Sequence, residues 1–480
     1  MMTPLARLAC ATLLALSLVG PDRAQSAPAG GGAPPISQMI VKFQAGPAGE
    51  TAAVAHLDAA LGLAAGSLRP VRPMLNGAQV VALPQAVPIA EARQLAARLA
   101  AQPGVEYAFP NYIRRPSLIP TDPLFTTQWH LAEPAGGINA PAAWDLTVGI
   151  TGVIVAVIDT GLLPHPDLPA ERVLPGYDFV TDPFMANDED PAGSLNSRDS
   201  DPADPGDWVT PNDLATQPVC AGQSPGDSSW HGTHVAGLIA AQGDNAQGVA
   251  GVAWGVRLLP VRALGRCGGA DADIADAMLW AAGLASGDPN APANPHPAQI
   301  LNLSLGGASD CFATIYQPVV DQLAAAGVLV VAAAGNDGGA VNAPANCQGA
   351  LAVAASNRAG DLSNFSSHGP EAALAAPGGQ SLVDYIFSLF NTGQTTPAGA
   401  TYAGFTGTSA AAPQAAGAAA LVLSFNPGLT APQVAEILTT TTRPFLEGGR
   451  CLTDPALAGG CGWGLLDAGA AVRAAAGVIH

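Results

Sequence analysis

The chain has 480 residues, 49% of them apolar and 11% charged, with a formal net charge of −19. Phosphate backbones and anionic lipid repel so acidic a surface, so nucleic acid and membrane are excluded as partners of the folded part. The length and apolar content suit one large domain with additions, or several smaller ones.

The N-terminus reads as an export signal. Arg7 precedes the short apolar run 8–20, and small residues follow at Ala24, Ser26 and Ala27. Residues 1–27 are therefore expected to be removed on secretion to the extracellular medium, leaving no membrane attachment, because the run is too short to span a bilayer comfortably. Residues 28–35 (PAGGGAPP) form a linker. In 36–115 the stretches QMIVKF, AQVVALP and VEYAFPNYI predict strands, and ETAAVAHLDAALGL and IAEARQLAARLAAQPG predict amphipathic helices. That order fits a small ferredoxin-like α+β unit. It carries seven basic and four acidic residues, a net of +3, whereas 116–480 carries nine arginines against 32 acids, a net of −23. Two parts of opposite charge are suited to associate, and the Pro- and Arg-rich stretch 114–123 between them reads as an exposed, cleavable joint.

The body, 116–480, alternates strands and helices. GVIVAVIDTG (152–161), VRLLPVRAL (256–264), AQILNLSLGG (298–307), GVLVVAAAGN (327–336) and ALAVAAS (350–356) predict strands. HGTHVAGLIAAQG, ADADIADAMLWAAGL, YQPVVDQLAAAG and the helix that begins near Ser409 predict helices, the last closing the series. The fold class is α/β, a doubly wound, mostly parallel sheet with helices on both faces. In such sheets functional groups collect at the carboxyl ends of strands, where Asp159, Ser304–Gly307 and Asn336 all fall.

Besides Cys10 there are six cysteines, an even set that reads as three disulfides in an exported chain. Six cysteines allow fifteen pairings; neighbours along the chain are favoured, 220–267, 311–347 and 451–461. No Cys-x-x-Cys pair suggests a metal instead.

Three residues carry chemistry. Asp159 ends a very apolar strand, where a carboxylate needs a donor, although a helix cap would also explain it. His231 opens a helix, where a neutral imidazole can act as a base. Ser409 opens another; taken alone it reads as an N-cap, with Pro413 confined to the first helical turn. A carboxylate, an imidazole and a hydroxyl make a nucleophilic hydrolase. His231 and His234 lack the glutamate and spacing of a zinc helix.

Together, VIDTG, HGTHVAG and GTSAAAP, in that order, resemble the three motifs of the subtilisin-like serine proteases. The resemblance covers roughly 120–475, and 36–115 resembles the family's inhibitory, chaperoning propeptide; the acidic insert before the His motif resembles the secreted bacterial branch. It implies a secreted serine endopeptidase acting on proteins and peptides, with Ser409 as nucleophile, His231 as general base and Asp159 orienting it. Asn336 in AAGN would be the side-chain donor of the oxyanion hole, unless it is a turn asparagine. Ser304, Leu305, Gly306, Ala333 and Gly335 would pair with an extended substrate. Ala410 stands where the family usually has methionine and Gln414 where it has histidine. The acidic insert 181–208 is either a solvated loop or a calcium site, with Asp182, Asp188 and Asp190 as candidate ligands. No cofactor is expected in catalysis. An esterase would carry Gly-x-Ser-x-Gly, and Ala411 breaks that pattern. A catalytically inactive protease-fold binding protein is the alternative reading.

Overall fold

The computed structural model describes residues 35–44, 57–58, 64, 66–112, 118–188, 197–285, 291–381 and 383–477. The predicted signal, the linker up to residue 34 and most of the first predicted amphipathic helix lie outside them.

Residues 36–110 form a four-stranded antiparallel sheet of order β2-β3-β1-β4, with β1 at Ile36–Phe43, β2 at Arg69–Pro73, β3 at Ala78–Val87 and β4 at Val105–Pro110. Helix α1 (Ile89–Ala100) lies between β3 and β4 in the chain. Met39, Val41, Val81, Ala92, Leu99 and Ala108 share one small core. Strand β2, RPVRP, is not expected from sequence because proline has no N–H to give a ladder. It survives as an edge strand, exposed along its whole length.

The body is built on a seven-stranded sheet of order β11-β10-β9-β8-β5-β7-β6. The strands are β5 (Ile154–Asp159), β6 (Tyr177–Asp178), β7 (Arg257–Arg262), β8 (Ile300–Leu303), β9 (Leu329–Ala333), β10 (Ala350–Ser356) and β11 (Ala372–Pro377). Every ladder between them is parallel. All six residues of β5 are buried, and period-two alternation divides them between two cores. Val155 and Val157 join one layer and Ile154, Ala156 and Ile158 the other. Helices α2 (His231–Ala240), α5 (Thr408–Phe425), α6 (Ala431–Thr440) and α7 (Ala468–Ala475) contribute to the first layer; α3 (Asp271–Ala281) and α4 (Tyr316–Ala325) contribute to the second.

Helix α5 is buried nearly all round, down to the polar Gln414, the signature of a central helix. Its small side chains are a packing requirement: a Cβ on Gly417 would stand 2.7 Å from Cβ of Val252. The series does not close at α5, since α6 and α7 follow it. A two-stranded hairpin, β12 (Ile386–Asn391) and β13 (Ala400–Phe405), precedes it. The three disulfides join Cys220 to Cys267, Cys311 to Cys347 and Cys451 to Cys461, as neighbour pairing predicts.

Candidate active site

Strand order reverses around β5, which lies between β7 and β8. A crevice opens at the carboxyl ends of strands at such a point, and Asp159 is the last residue of β5. Its carboxylate is fully buried and accepts the Thr160 N–H at 2.7 Å on Oδ1. The same oxygen stands 2.7 Å from His231 Nδ1. Because the partner is a carboxylate, Nδ1 carries the proton and Nε2 keeps its lone pair as a base.

His231 is the first residue of α2. Two local features hold it there. Trp230, fully buried, adopts a left-handed φ of 49° and donates its indole N–H to the Gly393 carbonyl at 2.8 Å. At Gly232 a Cβ would meet the Gly161 carbonyl oxygen at 2.2 Å, so only glycine lets α2 approach the turn after Asp159. The Gly232 N–H bonds Thr160 Oγ1 at 3.0 Å, and that hydroxyl donates to buried Asp204 at 2.6 Å. Burial alone would lower the pKa of His231. The Asp159 charge and hydrogen bond, with Asp207 and Asp204 behind them, outweigh it and set the pKa above its usual value. Burial pushes Asp204 up to about 7.

Ser409 is the second residue of α5, not its cap. The N-cap is Gly407, with no side-chain cap bond. Pro413 consequently falls on the sixth helical residue, past the first turn. The Ser409 hydroxyl donates to the Ser304 carbonyl at 3.0 Å, and Ser304 Oγ donates to the Ser409 carbonyl at 2.9 Å. Asn336, just beyond β9, accepts the Thr408 N–H at 2.8 Å and the Thr408 hydroxyl at 3.0 Å, both on Oδ1. Its Nδ2 is thereby the end left to donate. Gly335 (φ 115°) and Gly407 (φ 153°) make this contact possible, for both conformations strongly disfavour a side chain.

His231, Asn336 and Ser409 line one cleft of about 630 Å³, together with Ser304, Leu305, Gly306, Ala333 and Gly335. Asp207, Asp271 and Asp337 line it too, and among the described residues no lysine or arginine does. Asp207 is fixed by the N–H and hydroxyl of Ser229, each at 2.6 Å. Cys267, stapled to Cys220, forms part of the wall. Sequence reasoning missed Thr160, Asp204, Asp207 and Trp230. Only Thr160 carried a signal, its place beside the Asp motif.

Two of the three acids proposed for calcium are described, and each is engaged by a protein group. Asp182 Oδ1 caps the short helix Pro183–Ala186 through the N–H groups of Phe184 and Met185. Asp188 Oδ2 pairs with Arg262 at 2.8 Å, and that buried guanidinium, also bound to Asp178, supplies the cation locally. Asp190 lies outside the described residues. Among the described residues, no group of three or more His, Cys, Asp or Glu side chains could hold a metal ion. His234 is no ligand either: its Nε2 meets the Ile386 carbonyl at 3.1 Å and its ring stacks on Phe405 at 4.1 Å.

Residues 151–464 match the model of the subtilase family. An extracellular protease of Xanthomonas campestris pv. campestris is 42% identical over 85% of this chain and 66% of its own length. An extracellular basic protease of Dichelobacter nodosus is 39% identical over 84% of this chain and 63% of its own length. The chain thus spans just under two thirds of these relatives. A solved protease structure from Pseudoalteromonas arctica superimposes with a TM-score of 0.66 at 43% identity, covering 74% of this chain and 99% of that one. With the family model matched through all three motif residues, Asp159, His231 and Ser409, the chain belongs to the subtilase family.

Proposed function

We propose that this protein is a secreted serine endopeptidase, made as a precursor of signal (1–27), linker (28–35), inhibitory propeptide (36–115) and catalytic domain (116–480). The single observation that carries the reading is the Asp159–His231 bond of 2.7 Å at a cleft that also opens onto Ser409. A turn about χ1 takes the Ser409 hydroxyl from the Ser304 carbonyl toward the imidazole. Oγ then attacks the scissile carbonyl carbon while His231 Nε2 takes its proton. The oxyanion that forms is received by Asn336 Nδ2 and the Ser409 N–H. Collapse breaks the C–N bond, and the proton on Nε2 passes to the leaving amine. Water, activated by the same nitrogen, then hydrolyses the acyl-enzyme ester.

Secretion is supported by the extracellular relatives. Among the described residues no helix is long and apolar enough to cross a membrane. The propeptide reading rests on the separate antiparallel unit at 36–110 and on its +3 charge against −23. Subtilases commonly bind structural calcium. A calcium ion here would support stability, not chemistry, and chelator should lower the melting temperature if one is bound. The test of function is hydrolysis of a mixed peptide library by the mature protein. Cleavage within peptides, abolished by Ser409→Ala, is the expected result. Equal cleavage by the variant, or none by either, overturns the reading.

A further inference from the structure

The helix that carries Ser409 has a defect four residues downstream. In an α-helix the carbonyl of residue 409 would accept the N–H of residue 413. Residue 413 is proline, with no N–H to give. The deficit falls on the peptide that leaves the Ser409 Cα. Ser304 Oγ meets that carbonyl at 2.9 Å.

Ser304 is itself held. It follows β8, and Asn302, inside β8, donates Nδ2 to Ser304 Oγ at 3.0 Å. Asn302 is wholly buried at the middle of the sheet, opposite Val157 on one side and Val331 on the other. A buried amide in such a strand costs free energy unless its bonds are used. Its Oδ1 has no partner among the described residues, so the side chain is kept for its donor end. With the Asn302 proton on Ser304 Oγ, the Ser304 hydroxyl is directed as a donor to the Ser409 carbonyl.

We propose that Asn302 and Ser304 are positioning residues for the nucleophile. The Ser304 hydroxyl replaces the helix bond that Pro413 removes, and so fixes the frame from which the Ser409 hydroxyl and N–H project. The Ser304 side chain turns to the helix, where its hydroxyl meets the Ser409 carbonyl. The inference rests on Ser409 being the nucleophile.

The experiment measures kcat, KM, the pH profile and the rate of fluorophosphonate labelling for Ser304→Ala, Ser304→Thr, Pro413→Ala and the double variant Ser304→Ala/Pro413→Ala. Ser304→Ala should lower kcat about tenfold, the size of one neutral hydrogen bond, with KM within about twofold. Labelling should slow in proportion. The pKa governing kcat/KM should not move, because Ser304 makes no bond to His231 or Asp159. Ser304→Thr, which keeps the hydroxyl, should recover most of the rate. In the double variant the alanine that replaces Pro413 supplies the missing N–H, so most of the loss should be regained. If Pro413→Ala does not fold, the Ser304→Thr recovery decides. Wild-type kcat in Ser304→Ala with only a lower melting temperature would overturn the inference, as would a loss that neither rescue reduces. A wild-type protein that neither cleaves nor labels overturns the functional reading and this inference together.

Discussion

Acid should unfold this protein through two histidines that take no part in the proposed reaction. His130 and His234 are both fully buried. Neither nitrogen of His130 has a partner among the described residues, and its ring packs edge-on against Trp129 at 6.3 Å. Burial, with a smaller contribution from a neighbouring histidine, pushes both residues down to about 3 from the usual 6.5. A folded-state pKa below the unfolded value means that the unfolded chain takes the proton first. The stability is therefore whole above pH 6.5 and drains away as pH falls toward 3. Each such histidine costs about 1.4 kcal/mol per pH unit, or about 2 kcal/mol on going from pH 8 to pH 5. Because buried acids titrate in the same range, the clean quantity is a difference between variants. Urea unfolding should be measured at pH 8 and pH 5 for Ser409→Ala protein, which cannot digest itself under the proposed mechanism, with and without His130→Leu. Leucine is apolar, close in size and carries no proton. It should reduce the stability lost between the two pH values by about 2 kcal/mol. An identical loss in both proteins would refute a buried, neutral His130.

Other consequences concern the cleft. Asn336→Ala should lower kcat by about 10²–10³ at nearly constant KM, the range known for subtilisin's own asparagine donor; a stability loss without a kcat effect would make Asn336 a turn residue only. Gly407→Ala forces a side chain to φ 153°, which should cost about 1–3 kcal/mol in thermal unfolding and detach Asn336 from Thr408. The rate should rise with pH through the His231 pKa, which Asp159, Asp207 and Asp204 hold above 6.5; Asp207→Asn should move that limb of the kcat/KM profile to lower pH. With three acids and, among the described residues, no lysine or arginine lining the cleft, peptides carrying Lys or Arg should be cleaved faster than their Glu counterparts, and salt should shrink the difference.

The parts of the fold that sequence discloses are those governed by local periodicity. The apolar runs of β5, β7, β8, β9 and β10 are read where they occur, because strands buried on both faces have no polar alternation to obscure them. The strands β11, AALAAP, and β13, ATYAGF, are missed because alanine, glycine and proline give little strand signal and tertiary pairing decides; β12, IFSLFN, is rich in strand formers but too short for its period to stand out. The site is legible where a motif sets the residue type. It is illegible where contact comes from a distant loop, as with Asp204 and Asp207 in the acidic insert. The partner of Asp188 is equally illegible, since Arg262 lies 74 residues from it. Ser409 shows a subtler limit. A proline four residues after a serine puts the cap at Ser409, two residues past the real one, because the helix carries Pro413 deeper than its first turn, where Ser304, 105 residues away, meets the carbonyl left without its helical donor.

In the proposed mechanism Asp159, His231 and Ser409 work as one unit. The most direct measurement is the site of covalent capture by a fluorophosphonate, mapped by mass spectrometry of the mature protein. A single adduct on Ser409 Oγ is expected, forming more slowly by orders of magnitude in His231→Ala and Asp159→Asn. An unlabelled Ser409, or labelling that proceeds equally fast without the imidazole, would contradict it.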